Sequence, residues 1–332
     1  MEKKRAHDKL WTKIKTSDGN YKEDISSILE EQIKYYQNLF TSDGCDRDSA
    51  EYLTSNLETK VNETDKEMCD KEVSIDEIFN AAKLQKPDKS PGDDGISSEF
   101  YKLFWYLIGD DFVSVVKDIF RNTRLCESQY RGIITFLFKK GEREDIRNWR
   151  PITLLNVDYK FISKILAERL KKVLPKIINT EQKGFAKGRN IFDGNRLLQD
   201  IIDYTEIEDE EGAIIFLDQQ KAFDRAEWEW IDFCLDKFGF GTVFREWVQM
   251  LFKETKTCIH TNGFTLRYVS ITRSNRQGCP IAPMLYILQA EPLATYIRQN
   301  PCIKGIELPH RSGHTGRGAK LNMFADDTQV IN

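Results

Sequence analysis

An α+β fold is predicted for this chain, on three observations. Segments with helical and with strand-like periodicity are mixed, without the regular strand–helix alternation of a doubly wound sheet. Two short stretches read as hairpin tips, Asn262-Gly263 and Phe324-Ala325-Asp326-Asp327. Hydrophobic residues make up 40% and charged residues 31% of the 332 positions, ordinary globular values that exclude wholesale disorder.

Taken in order, residues 1–20 are polar and carry no periodic signal. Ile25, Ile28, Leu29, Ile33, Tyr36 and Phe40 fall on one face of a helix. Thr41 to Thr64 is polar and turn-rich, which predicts a linker. Ser74 followed by Glu77 is a capping box that opens a short helix through Leu84. Lys89 to Gly95 is a loop, because Pro91 cannot continue a helix. An aromatic helix follows (Phe100, Tyr101, Phe104, Trp105), its stripe expected in the core. Ile133 to Phe138 is a strand, Asn156 to Val173 a basic amphipathic helix, Gln182 to Arg189 a Gly-rich turn and Ile191 to Tyr204 a helix. The short apolar run Ala213 to Leu217 predicts a buried strand. Trp228 to Phe238 is a helix that stops at Gly239, and Trp228, Trp230 and Trp247 are expected as core anchors. Thr257 to Thr272 reads as two strands around Asn262-Gly263, and Ala282 to Arg298 as a helix. The final hairpin strand is expected at or near an exposed sheet edge.

Several function classes drop out early. No apolar run approaches the ~18 residues of a membrane span, and the charged start Met1 to Leu10 lacks a signal peptide's apolar stretch. Seven scattered cysteines without CxxC spacing read as reduced thiols, so an intracellular setting (cytoplasm or nucleus) is expected. His310 and His314 read as part of a solvated loop. The net charge of −4 hides an asymmetry: Arg131 to Arg189 carries fifteen Lys and Arg against six Asp and Glu. A basic stretch on an acidic chain suits a phosphate-contacting face, with a solvated helix surface as the alternative.

The chemistry starts from paired acids. Asp326 and Asp327 sit at a hairpin tip, where like charges are costly to ionise unless a cation lies between them. A third carboxylate, Asp218, ends the apolar run 108 residues before Asp326. Hard divalent cations take carboxylate oxygens, and two such ions can clamp the attacking and leaving oxygens of an in-line displacement. Adjacent acids are weak signals alone, since Asp93-Asp94 and Asp110-Asp111 also occur.

The surrounding blocks are more specific. Asp218-Gln219-Gln220-Lys221-Ala222-Phe223-Asp224, Arg276-Gln277-Gly278-Cys279-Pro280 and Phe324-Ala325-Asp326-Asp327 occur in that order. With Lys89-Ser90-Pro91-Gly92, Asn148-Trp149-Arg150-Pro151-Ile152 and Gln182-Lys183-Gly184-Phe185 ahead of them, the chain resembles the reverse transcriptases of non-LTR (LINE-type) retrotransposons over about residues 75–332. The resemblance implies a right-hand polymerase with fingers and a partial palm, mixed helices with a small antiparallel sheet, and the thumb absent, since the chain stops five residues after Asp327. It divides the chain into a helical leader and linker at 1–70, a fingers-like part at 71–200 and a truncated palm at 201–332.

The same resemblance implies site roles and partners. Asp218, Asp326 and Asp327 would hold two Mg²⁺ ions, with Mn²⁺ as a substitute. Phe223 would exclude a 2′-hydroxyl, and Gln277 and Gly278 would line the incoming nucleotide's pocket. Lys139 and Arg150 would face its triphosphate or the template, and Gly184, Gly188 and Arg189 would form a template-side turn. The expected partners are an RNA template, a DNA primer and dNTPs. Two departures stand out: Asp93 where relatives have proline, and Ala282 where they have serine. The resemblance thus implies an RNA-directed DNA polymerase; the alternative is a non-catalytic nucleic-acid-binding or inert fragment of a decayed element.

Overall fold

Helix Val157–Ile177 runs through the main core, and 13 of its 21 residues are buried. The computed structural model describes residues 10–308 and 318–332, so His310 and His314 lie outside the described part. Leu166, Ala167, Leu170 and Val173 are wholly enclosed in the main core, which also takes in helices Trp228–Lys237, Thr242–Met250 and Ala282–Gln299. The basic amphipathic helix of the sequence reading is therefore a core helix. Even Arg169 is only 2% exposed, and its guanidinium donates to the Glu77 carboxylate at 2.7 and 2.9 Å and to the carbonyls of Cys69 and Lys71. Glu77 belongs to the predicted capping box, which forms in full at the start of helix Ile75–Lys83.

Ten strands are present among the described residues: β1 (Ile14–Lys15), β2 (Tyr21–Lys22), β3 (Arg131–Phe138), β4 (Trp149–Leu155), β5 (Ile214–Leu217), β6 (Lys256–Thr261), β7 (Phe264–Thr265), β8 (Val269–Ser270), β9 (Leu321–Phe324) and β10 (Asp327–Ile331). They make a β1-β2 ribbon, a five-stranded sheet ordered β4-β3-β6-β7 with β8 beside β6, and a three-stranded sheet ordered β5-β10-β9. The α+β expectation stands, and of the two larger sheets the three-stranded one is the small antiparallel sheet. The larger sheet is mixed, because β3 and β6 run parallel.

Two strand expectations are overturned. β5 is an edge strand whose Ile215, Phe216 and Leu217 are 52%, 70% and 45% exposed. An apolar run specifies strand but cannot distinguish a central position from an edge. The last strand, β10, is the central one. The polar 41–64 stretch also contains a helix, Arg47–Thr54, which buries only Ala50 and Thr54 and so leaves little hydrophobic pattern to read.

The N-terminal region is built into the fold. Helix Ile25–Leu39 buries Ile28, Leu29, Ile33 and Tyr36 in a second core with Ile134 and Phe136 of β3, Trp149 of β4 and Ile259 of β6. Trp11 stacks on Trp149 at 4.4 Å. Trp247 is buried, and Trp228 and Trp230 pack half-buried against the core; each donates its indole N–H to a backbone carbonyl. Of the aromatic helix, now Ser98–Asn122, Tyr101 is buried while Phe100 is exposed.

Candidate active site

β5 and β10 are antiparallel neighbours, with Leu217 paired to Thr328 and Ile214 to Ile331. The next residue of β5 is Asp218 and the preceding residue of β10 is Asp327, so the two acids stand level at the end of the ladder. β9 and β10 form a hairpin in which Phe324 pairs with Asp327, leaving Ala325 and Asp326 as its tip. Asp218 and Asp327 are exposed and Asp326 is half-buried.

A cleft of about 660 Å³ takes in Asp218, Asp326 and Asp327 together with Lys139, Arg150, Phe223, Gln277 and Gly278. The acids feel one another: burial first, then the charges of Asp326 and Asp218, push the Asp327 carboxyl up. Burial and the same three charges raise the Tyr286 phenol. Three carboxylates are the donor set a hard divalent cation takes. Among the described residues no group of three or more His, Cys, Asp or Glu side chains is already gathered at metal-binding spacing. The acids therefore share a cleft without forming a closed cage.

Around them the cleft is ordered by contacts. The Phe223 ring lies 4.5 Å from that of Tyr286 at an interplanar angle of 16°, and Phe185 meets it edge-on at 6.4 Å. Tyr286 donates its hydroxyl to Gln219 Oε1 at 2.8 Å, next to Asp218. Gln277 donates Nε2 to Asp224 Oδ1 at 3.0 Å, and its carbonyl accepts from the Thr153 amide of β4 at 2.8 Å. Gly278 has φ +127, and a Cβ there would run into the Thr153 carbonyl oxygen. Asp224 is 3% exposed, and burial pushes its carboxyl up to about 6. Lys221, whose ammonium donates to the carbonyls of Arg147 and Trp149 at 3.2 and 3.1 Å, is shifted down by burial.

The Gln182 to Arg189 turn sits elsewhere than in that cleft, apart from Phe185. Gly184 is packed on the hairpin tip, where a Cβ would lie 2.5 Å from the Ala325 nitrogen. Gly188 has open space around it. Arg189 turns inward and donates to the carbonyls of Ile178, Asn179 and Gln182. Much of the basic stretch is similarly engaged: Arg131 pairs with Glu127 and Asp93, Arg147 with Asp145, and Lys176 with Asp65. The acid that replaces a proline in relatives thus has a partner.

One residue of this site had no role in the sequence reading. Gln182, 2% exposed, accepts from the Ala325 and Gly184 amides at 2.8 Å each and donates to the Ala325 carbonyl at 3.2 Å. It was visible only as a letter in a motif block, since nothing local says that a turn residue will reach 143 positions along the chain.

Comparison with known proteins gives the family. The profile described as Reverse transcriptase (RNA-dependent DNA polymerase) matches residues 138–332. The Transposon TX1 uncharacterized 149 kDa protein of Xenopus laevis is 34% identical over 331 residues, covering 100% of this chain and 25% of that protein. The Retrovirus-related Pol polyprotein from type-1 retrotransposable element R2 of Popillia japonica is 27% identical, over 52% of this chain and 24% of its own length. The Probable RNA-directed DNA polymerase from transposon BS of Drosophila melanogaster is 24% identical, over 79% of this chain and 28% of its own. The chain spans about a quarter of the length of these curated relatives. Among the described residues no helix is long and apolar enough to cross a membrane.

Proposed function

The chain belongs to the reverse transcriptase (RNA-dependent DNA polymerase) family, and from that premise we propose that it forms the fingers and part of the palm of a retrotransposon polymerase. The reaction is addition of dNTPs to the 3′-hydroxyl of a primer along an RNA template. One observation carries the reading: the Leu217–Thr328 register brings Asp218 level with Asp327, beside the hairpin tip that carries Asp326.

Asp218, Asp326 and Asp327 are the residues that would hold two Mg²⁺ ions, which when bound activate the attacking hydroxyl and offset charge on the leaving pyrophosphate. Phe223, backed by Tyr286, presents a rigid ring to the sugar, so a 2′-hydroxyl clashes and a ribonucleotide is refused. Gln277 and Gly278 bound the nucleotide pocket, their backbone fixed against β4. Lys139 and Arg150 bring cationic charge to the phosphates, where preorganised charge lowers the barrier. Gly184, Gly188 and Arg189 shape the turn beside the hairpin, the last through backbone carbonyls.

The test is extension of an oligo(dT) primer on poly(rA), run on this chain and on one continued through downstream sequence, with Mg²⁺ or Mn²⁺. Because the chain spans about a quarter of its relatives' length, activity is expected in the longer chain and near background in this part alone. In the active form Phe223→Val should admit ribonucleotides. Unchanged deoxynucleotide preference would remove Phe223 from the sugar site, and full activity of Asp218→Ala would remove the proposed chemistry.

A further inference from the structure

The hairpin tip that carries Asp326 is locally unfavourable. Ala325 has φ +58, a left-handed conformation that costs an L-residue with a Cβ roughly 1–2 kcal/mol. It is also only 4% exposed, so its backbone groups need partners within the protein. Backbone in such a state persists where its surroundings over-determine it.

The surroundings here are one side chain. Gln182 Oε1 accepts the Ala325 amide at 2.8 Å, and Gln182 Nε2 donates to the Ala325 carbonyl at 3.2 Å, so both polar groups of the strained residue meet one carboxamide. The carboxamide is itself fixed, because Oε1 also accepts from Gly184 at 2.8 Å. The backbone of the same segment is bound to β9 as a short parallel bridge: Lys183 donates to the Met323 carbonyl at 2.7 Å and Met323 to the Glu181 carbonyl at 3.1 Å. Gly184 lets the two backbones approach closely enough for these bonds, since any Cβ there would meet the Ala325 nitrogen.

We propose that Gln182 is the positioning residue of the catalytic hairpin. It holds Ala325 in its left-handed state and thereby sets where the Asp326 and Asp327 carboxylates stand. This rests on the reading of those acids as divalent-metal ligands. A glutamine is required by reach: asparagine is one methylene too short to span to Ala325 with both ends, and methionine has the length without the hydrogen bonds. Residues that orient ligands from behind in this way change metal affinity by about 10–100-fold when removed.

The experiment is Mn²⁺ binding by electron paramagnetic resonance on the 332-residue chain, with no primer, template or nucleotide present. Wild type, Asp326→Ala, Gln182→Met and Gln182→Asn are compared at a temperature where near-ultraviolet circular dichroism shows each to be folded. Asp326→Ala should lose the site. Both Gln182 variants should weaken binding by at least about tenfold while retaining cooperative unfolding. Amide exchange at Ala325, slow in wild type, should accelerate in both. Where the methionine variant does not fold, the asparagine variant carries the test. Affinity within twofold of wild type in a folded Gln182 variant overturns the proposal while leaving the metal reading intact. Undiminished binding by Asp326→Ala overturns the metal reading, and the proposal with it.

Discussion

Two hairpin tips in this molecule are built on opposite logic. At the end of β6, Asn262 (φ +53) and Gly263 (φ +86) form the left-handed pair that suits a two-residue hairpin. Their turn is self-sufficient, and it lends order to something else: Asn262 accepts from the Trp11 amide at 3.0 Å and donates to the Trp11 carbonyl at 2.7 Å, pinning the N-terminal segment. At the end of β9 the tip is Ala325-Asp326, with an alanine in the left-handed position, and there the carboxamide comes from outside, on Gln182. One turn supplies the amide and the other receives it. A tip selected for comfort can anchor its neighbours, whereas a tip selected for carboxylates must be anchored.

The sharpest way to separate the two is to remove one side chain from each. Asp326→Ala should lower primer extension in an active, downstream-continued chain by at least about a thousandfold, equivalent to about 4 kcal/mol of barrier. It should barely move the unfolding midpoint, because Asp326 is only half-buried and makes no ion pair among the described residues. Asn262→Ala should do the reverse, leaving extension intact while costing about 1 kcal/mol or more of stability through the lost Trp11 bonds. If Asn262→Ala also abolished extension, the division between structural and catalytic tips would fail.

A subtler comparison uses the glycine packed on one tip and the glycine within the other. Gly184→Ala adds a methyl where the Ala325 nitrogen lies 2.5 Å away, so the hairpin must shift, at about 1–3 kcal/mol. Gly263→Ala meets open space and carries only the left-handed backbone penalty, about 1–2 kcal/mol. The stability losses overlap, so the discriminating measurement is Mn²⁺ affinity, expected to fall for Gly184→Ala and to hold for Gly263→Ala. Equal affinities in both would mean that the Gly184 contact does not govern where the acids stand.

The same contrast explains what could be read from the sequence. Asn262-Gly263 and the Ser74–Glu77 capping box are local chemistry, and both form as expected. The nearness of Asp218 to the final acid pair was legible only because ordered blocks carried a family resemblance. The apolar run placed β5 as a buried strand, although it is an exposed edge, and the position of β10 as the last strand placed it at an edge, although it is central. Strand order is set by pairing between distant segments, which no local pattern encodes. The basic stretch was legible only as a count. Its surplus charge was countable, but Arg169, Arg189 and Lys176 are used on internal carboxylates and carbonyls that come from other segments.

A third carboxamide extends the comparison to a partner that titrates. Gln277 donates to Asp224, which is 3% exposed and whose carboxyl burial pushes up to about 6. Lys221 and Arg150 stand near enough to favour its charged form, as does the Gln277 bond, and burial outweighs all three. The sign follows from the folded state holding its proton to higher pH than the unfolded chain does. Below the usual carboxylate range Asp224 is neutral in both states and contributes nothing. As pH rises from the usual carboxylate range to about 6 the unfolded chain ionises while the folded protein holds its proton, so stability falls across that window and levels off once the buried carboxyl also ionises. Asparagine keeps an oxygen for Gln277 and never ionises. Asp224→Asn is therefore expected to stabilise the fold at pH 8 by about 1–3 kcal/mol, with the gain shrinking as pH drops through 6 towards 4. Thermal unfolding of both proteins across that range measures it. A gain that stays constant with pH would mean that Asp224 is already compensated by Lys221. A loss at pH 8 would mean that the charge itself organises the Gln277 side of the cleft, making this carboxamide, like Gln182, part of a preset site rather than a passive contact.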